Sequence, residues 1–268
     1  MALKARMKKT QLTPGDSYVQ SFARGLAVIK AFGVDAPRMT ISEVAARAGL
    51  TRAGARRILL TLENLGYVAS DDKKFFLTPK ILDLGYAYLS TTPFWDPAEP
   101  IMEQLVADLH ESCSISVLDG ADIVYVVRVP TSKIMAVSLG IGSRLPAYAT
   151  SMGRILLGGL TGAQLRHVLP ASNIKAFTKF TVTDIKKLAS IIEADRDRGW
   201  SYVNQELEEG LRSIAVPLRD RTENIIAAMN ISGQANRNSE KTMITDFLPK
   251  LQRAADKINA ALRMRPVM

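Results

Sequence analysis

One cysteine, Cys113, and two histidines, His110 and His167, are all that 268 residues offer for redox or metal chemistry. A lone thiol cannot close an internal disulfide, and the spaced Cys/His sets of zinc sites are missing, so neither a metal nor any other cofactor is expected. Long apolar runs are missing as well. No stretch approaches the roughly 20 residues of a membrane span, and no signal-peptide core follows Met1. The basic segment Lys4-Ala5-Arg6-Met7-Lys8-Lys9 has no opposing Trp or Phe stripe, which excludes an interfacial helix. No membrane partner is expected, and the chain reads as cytoplasmic. Gly140-x-Gly142 lacks the third glycine of a dinucleotide cradle, and no G-x-x-x-x-G-K phosphate loop occurs.

Positive charge is abundant and uneven. Residues 1–80 hold 14 Lys+Arg against 6 Asp+Glu, whereas residues 81–268 hold 21 against 20. A basic first third joined to a neutral remainder fits a polyanion-binding module attached to a domain with another partner. The segment 1–16 reads as a disordered basic arm.

Between Thr40 and Thr78 the punctuation is dense. Ser42 to Ala48 is a short helix, broken by Gly49-Leu50. Thr51 caps a second helix whose apolar residues Ala55, Ile58, Leu59, Leu62 and Leu65 form one stripe at i, i+3, i+4, i+7 and i+10. Projected at about 100° per residue, the opposite side centres on Ala53, with Arg56 and Arg57 on its shoulders. Gly66-Tyr67-Val68 opens a strand that turns at Asp71-Asp72-Lys73-Lys74 and returns as Phe75-Phe76-Leu77. Helix, tight turn, helix and hairpin in this order is a winged helix-turn-helix. A small residue flanked by guanidinium groups allows close approach to a major groove. Ser42, Thr51, Arg52, Ala53, Arg56 and Arg57 are therefore the candidate contacts to double-stranded DNA, with Lys73 and Lys74 on the wing.

The organisation that follows is 17–78 for the DNA-binding domain, 79–95 for a linker helix and hinge, and 96–268 for a second domain. Ser21 to Phe32 and Pro79 to Leu89 read as helices, and Ser90 to Pro97 as a hinge. Beyond it, Pro97 to Ser112 is an amphipathic helix. Ile115–Leu118 and Ile123–Val127 pair about Asp119-Gly120, and Ile134 to Leu139 is a third strand. Helices are predicted near 149–158, 161–169, 182–199 and 239–263, and strands over 214–218 and 225–231. The fold class is α+β, with an antiparallel sheet and its helices segregated to one side.

Several segments are similar to one family. Ser21 to Ile29, the helix-turn-helix and wing, Gly142-Ser143-Arg144-Leu145-Pro146-Ala147-Tyr148-Ala149-Thr150-Ser151-Met152-Gly153-Arg154, and Glu206-Leu207-Glu208-Glu209-Gly210-Leu211-Arg212-Ser213-Ile214-Ala215-Val216-Pro217 together resemble the IclR family of bacterial transcriptional regulators. The resemblance covers about residues 17–263. It is nearest to the branch that regulates protocatechuate and β-ketoadipate operons. It implies a homodimer, sometimes a dimer of dimers, with a GAF-like C-terminal domain that binds a small organic or aromatic acid. It also implies that backbone amides of Ser151 and Met152 meet the effector, and that Val203, Ser213, Asn230 and Ser232 line its pocket. The familiar pattern has an acidic residue at Val203 and a cysteine at Ser213, so this chain departs toward a more apolar pocket and a larger acid. An IclR-type regulator of an unrelated small-acid pathway is the alternative.

Elementary electrostatics favours the same place. Thr150-Ser151-Met152-Gly153 opens a helix, where free N–H groups attract a carboxylate. Arg144 and Arg154, with Arg212 in the second motif, are candidate clamps, against the simpler reading of salt bridges or an interface. Ala149 to Gly153 also looks like a degenerate nucleophile elbow, and Ser172-Asn173-Ile174-Lys175 matches S-x-x-K. No acid lies between Ser151 and His167, the only later histidine. A hydrolase at Ser151 is thus a remote alternative and no catalytic residue is expected.

Overall fold

The computed structural model describes residues 17–91, 97–131 and 139–264. The basic arm over 1–16, most of the hinge and the strand expected over 134–139, Leu139 excepted, lie outside them. The chain divides into two compact units, 1–92 and 93–268, so the helix expected as a separate linker groups with the first.

In the first unit, α1 (Gln20–Ala31), α2 (Ile41–Ala48) and α3 (Arg52–Asn64) precede the hairpin β1 (Val68–Asp71) and β2 (Lys74–Leu77). Each boundary has a local cause. Thr40 and Glu43 cap α2 reciprocally, and the Thr40 amide holds the Glu43 carboxyl below the usual carboxylate range. Gly49 ends α2 in the left-handed region, at φ 65°, where glycine carries no steric penalty. The Thr51 hydroxyl accepts from the Gly54 amide at 3.1 Å to start α3, the usual office of an N-terminal threonine. Asp71 pairs with Lys74, leaving Asp72 at φ 44° and Lys73 at φ 67° as a two-residue turn, the geometry that tight hairpins favour. Val28, Val44, Ala55, Leu59, Val68 and Phe75 close the core. Leu65 does not join it. It caps the C-terminus of α3 and is 53% exposed, one turn beyond the point where the stripe meets its neighbours. A short turn at Pro79–Ile81 leads to α4 (Leu82–Thr91).

The second unit contains α5 (Ala98–Leu109), β3 (Ser112–Asp119), β4 (Asp122–Val129), β5 (Arg144–Pro146), α6 (Ser151–Gly158), α7 (Gly162–Ala171), α8 (Ile185–Arg198), β6 (Ser201–Asn204), β7 (Leu211–Arg219) and β8 (Ile225–Gln234). It ends in α9 (Glu240–Thr242), a π-turn over Met243–Phe247 and α10 (Leu248–Met264), where the sequence predicts one continuous helix. The described strands of this unit form one antiparallel sheet in the order β5-β4-β3-β8-β7-β6.

The helices are not confined to one side, which corrects the expectation. Met102 and Leu105 of α5 and Leu251 and Ile258 of α10 share a core with Ile115, Ile214, Val216 and Met229. Ile155 of α6 and Leu188 and Ile192 of α8 share another with Ile123, Tyr125, Ala215 and Ala228. Successive residues of β7 and β8 thus alternate between two buried faces, and strands of this kind read as nearly continuous apolar runs.

Every residue of α6 is buried. Gly153 is what lets it dock on the Ala147–Ala149 turn: a Cβ there would overlap the Ala147 carbonyl group. Gly153→Ala is expected to cost roughly 1–3 kcal/mol or more through overpacking against backbone. Thermal unfolding of the second unit measures it, and an unshifted midpoint refutes this account of the contact.

Candidate functional site

The outer face of α3 is as the periodicity requires. Thr51, Arg52, Ala53, Arg56 and Arg57 are exposed, while Ala55, Leu59 and Leu62 are buried. Ser42 is exposed near the start of α2, and Lys73 and Lys74 are exposed on the wing. Among the described residues, Arg52, Arg56, Arg57, Lys73 and Lys74 have no ion pair. Arg38, by contrast, is held by Asp71 at 3.3 Å and lies 4.4 Å over the Phe76 ring. Five cations without ion-pair partners, two of them at the tip of the wing, leave their charge available to phosphates and base edges.

The second unit holds a cavity of about 240 Å³ against the α6 side of the sheet. Strand register builds its floor. Ser114 pairs with both Arg128 and Asn230, Ser213 pairs with Ser232, and Val203 pairs with Ser213. Side chains at i and i+2 of a strand share a face, which puts Asn230 beside Ser232 and Ser112 beside Ser114. A band of polar residues therefore crosses an otherwise apolar sheet. Met152, Val203, Ser213, Asn230 and Ser232, implied by the family resemblance, all line the cavity.

Ser151 does not line it. Its hydroxyl is buried without a hydrogen-bond partner among the described residues. The neighbouring cap still shapes the wall: the Thr150 hydroxyl accepts from the Gly153 amide at 3.1 Å, and the Arg154 amide bonds the Thr150 carbonyl at 3.0 Å. The amides of Ser151 and Met152 lie in the first turn of α6, where the helix itself supplies no carbonyl acceptor.

The clamp arginines are elsewhere. Arg144 is 45% exposed on β5 and paired with Asp119 at 2.9 Å and Asp122 at 3.3 Å. Arg154 is buried, donating to Glu206 at 2.7 Å and to the Tyr148 carbonyl at 3.1 Å. Arg212 donates to Asn204 at 2.8 Å and to the Ala235 and Asn238 carbonyls. Each already has acceptors, and none lines the cavity.

The arginine that does line it is Arg128, which neither motif nor periodicity singles out. It donates to the Ser114 hydroxyl at 3.2 Å and has no acidic partner among the described residues. Tyr125 lines the same wall, and burial pushes its hydroxyl up to about 12, an effect the Arg128 charge opposes. The phenol therefore stays a hydrogen-bond donor. The one available signal is a charged residue in the apolar run Val124-Tyr125-Val126-Val127-Arg128-Val129.

His110 is an exposed residue at φ 55° ending α5, and His167 is exposed on α7. Among the described residues, no cluster of His, Cys, Asp and Glu could hold a metal. No helix of the described residues is long and apolar enough to cross a membrane.

An exposed, unpaired cationic recognition helix on the same chain as a ligand-sized cavity defines a DNA-binding regulator answering to a small molecule. The chain belongs to the IclR family: the family's helix-turn-helix domain matches residues 21–72, and the bacterial transcriptional regulator IclR C-terminal domain matches residues 86–260. It is 42% identical to the Pca regulon regulatory protein of Pseudomonas putida, covering 92% of this chain and 86% of that one. It is 34% identical to the p-hydroxybenzoate hydroxylase transcriptional activator of Acinetobacter baylyi, covering 91% and 92%. A crystal structure described as a transcriptional regulator from Rhodococcus sp. RHA1 is 50% identical, with a TM-score of 0.82 over 91% of this chain and 98% of that one. These similar proteins are named as transcriptional regulators, and none of them as a hydrolase.

Proposed function

We propose that this regulator controls an operon for aromatic-acid breakdown of the protocatechuate and β-ketoadipate type. In this reading it binds a near-palindromic operator as a homodimer, or as a dimer of dimers, and senses a pathway acid in the sheet cavity. The observation that carries the reading is the cavity itself, with its volume of about 240 Å³. An engineered apolar cavity of roughly 150 Å³ already holds benzene. The larger space leaves room for the substituents of a ring acid and far more than a two-carbon acid fills. The names of the similar regulators, with their Pca regulon and p-hydroxybenzoate hydroxylase, support the same class of effector.

On the DNA side, Arg52, Ala53, Arg56 and Arg57 enter the major groove, Ser42 and Thr51 approach the backbone, and Lys73 and Lys74 touch phosphate or the adjacent minor groove. Phe22, Leu82 and Tyr86 are each about two-thirds exposed, apolar surface that a second copy of the chain would cover. A regulator working on an operator acts in the cytoplasm. Acid binding changes operator affinity only in so far as the acid favours one protein geometry over another.

The test selects an operator from a random duplex pool with the full-length protein and then titrates acids. The expected result is a palindromic site, affinity that falls steeply with salt, and altered affinity with protocatechuate or 4-hydroxybenzoate. A selected site that ignores the aromatic acids and β-ketoadipate alike overturns the pathway reading.

A further inference from the structure

We propose that Arg38 is a positioning residue for DNA binding. By gripping Asp71 and Phe76 it holds the wing tip, and with it Lys73 and Lys74, in one place beside α3. The inference rests on the reading above in which the wing touches DNA, and it gives a role to two residues outside that contact set.

Two exposed carboxylates at the tip of a surface that meets a polyanion call for a reason. Asp72 has one in the backbone: it stands at φ 44° in the two-residue turn, a conformation that Asp and Asn accept more readily than most residues. Asp71 is not in the turn but in β1, directly opposite Lys74 of β2. Its carboxylate takes the Arg38 guanidinium at 3.3 Å, and the same guanidinium lies 4.4 Å over the Phe76 ring. Residues directly opposite each other in a hairpin, and those at i and i+2, share a face. Ala69, Asp71, Lys74 and Phe76 therefore make one face, and Arg38 spans it from one strand to the other. Its grip on Asp71 falls at the last ladder pair before the turn.

The backbone on either side of this contact is firm. Met39 is 2% exposed and exchanges both main-chain hydrogen bonds with Phe75, at 2.9 and 2.7 Å. The next residue, Thr40, caps α2 together with Glu43. The other face of the hairpin is tied separately, by the Ser70 hydroxyl donating to Glu63 of α3 at 2.6 Å. The wing is thus fastened to α2 through residues 38–40 and to α3 through Ser70.

An exposed ion pair and a cation–π contact are each weak, so losing them leaves the fold intact and frees the tip. Lysines on a free tip must be ordered when DNA binds, a cost that a held tip avoids. The sign of the Asp71 effect separates this role from plain electrostatics. A carboxylate that is only a negative charge near phosphate strengthens binding when it is removed. A carboxylate that anchors Arg38 weakens binding when removed, although the protein becomes more positive.

The experiment is fluorescence anisotropy of the full-length protein on its selected operator over a salt series. It compares Arg38→Gln, Asp71→Ala, their combination, and a variant carrying both Lys73→Gln and Lys74→Gln. Arg38→Gln and Asp71→Ala are each expected to weaken binding roughly two- to tenfold and to flatten the salt slope toward that of the lysine variant. The combination is expected to match Arg38→Gln alone, because both changes break one contact. Thermal unfolding is expected to stay near the wild-type midpoint. Asp71→Ala that strengthens binding or leaves it unchanged overturns the inference while the wing's contact with DNA stands, as does a combination in which the two single effects simply add. A salt slope unmoved in the lysine variant overturns the wing contact and the inference together. Should Arg38→Gln lose its fold, the sign of the Asp71→Ala effect decides the matter.

Discussion

Replacing Arg154 with alanine is expected to destabilise the effector unit by about 3–5 kcal/mol, because it strands a buried carboxylate. Arg154 is 2% exposed and its partner Glu206 is 9% exposed, with 2.7 Å between them. The same Glu206 oxygen accepts from the Val182 amide at 3.0 Å, so the carboxylate cannot swing out to water without breaking a second bond. The guanidinium also holds the Tyr148 carbonyl, on the turn against which α6 docks. A loss of this size consumes much of the roughly 5–15 kcal/mol by which a domain is normally stable. Arg154→Met combined with Glu206→Gln removes both charges and is expected to cost markedly less, since no uncompensated charge remains. Denaturant unfolding of the effector unit measures both variants. If Arg154→Ala unfolds like wild type but loses its response to acid, the arginine belongs to ligand binding and the buried-pair account is wrong.

Arg56→Ala and Arg57→Ala should each leave folding stability within about 0.5 kcal/mol of wild type, the usual range for surface substitutions. Both side chains are exposed, with no ion pair among the described residues. Their effect falls on DNA. Each is expected to weaken operator binding by roughly 1–3 kcal/mol if it reads a base edge. The residues are adjacent, so the double variant need not equal the sum. Fluorescence anisotropy over a salt series separates two roles. A base-reading arginine relaxes sequence preference at one position. A phosphate contact lowers affinity across all sequences and flattens the salt slope by about one unit. Unchanged affinity in both single variants would show that this face of α3 does not enter the groove.

Legibility in the sequence follows the range over which each feature is determined. The α3 stripe as far as Leu62, the Thr51 cap, the Gly49 break and the two-residue turn at Asp72-Lys73 depend on neighbours within a few residues, and these stand where periodicity and turn chemistry put them. β3 and β4 are visible in the sequence but too short at their outer ends, because Ser112–Ser114 and Arg128 break the apolar pattern while still pairing across the sheet. β5 and β6, three and four residues long, escape a periodicity reading, since so few residues carry no measurable period. Helices on both faces escape it for a related reason: strands buried on both sides do not announce which side faces which helix.

The site divides the same way. Family motifs point to Met152, Val203, Ser213, Asn230 and Ser232, and the fold brings them together around one cavity. Motifs cannot tell apart four arginines whose roles are set by distant partners: Glu206 lies 52 residues from Arg154, and Asp122 lies 22 from Arg144.

By itself the amino-acid order determined the class of protein, because a cationic helix with one apolar stripe needs only local spacing to be recognised. It also determined the polar composition of the effector sheet. Tertiary structure alone decided which arginine faces the cavity and which are tied up, because burial and ion pairing depend on residues brought together from far along the chain.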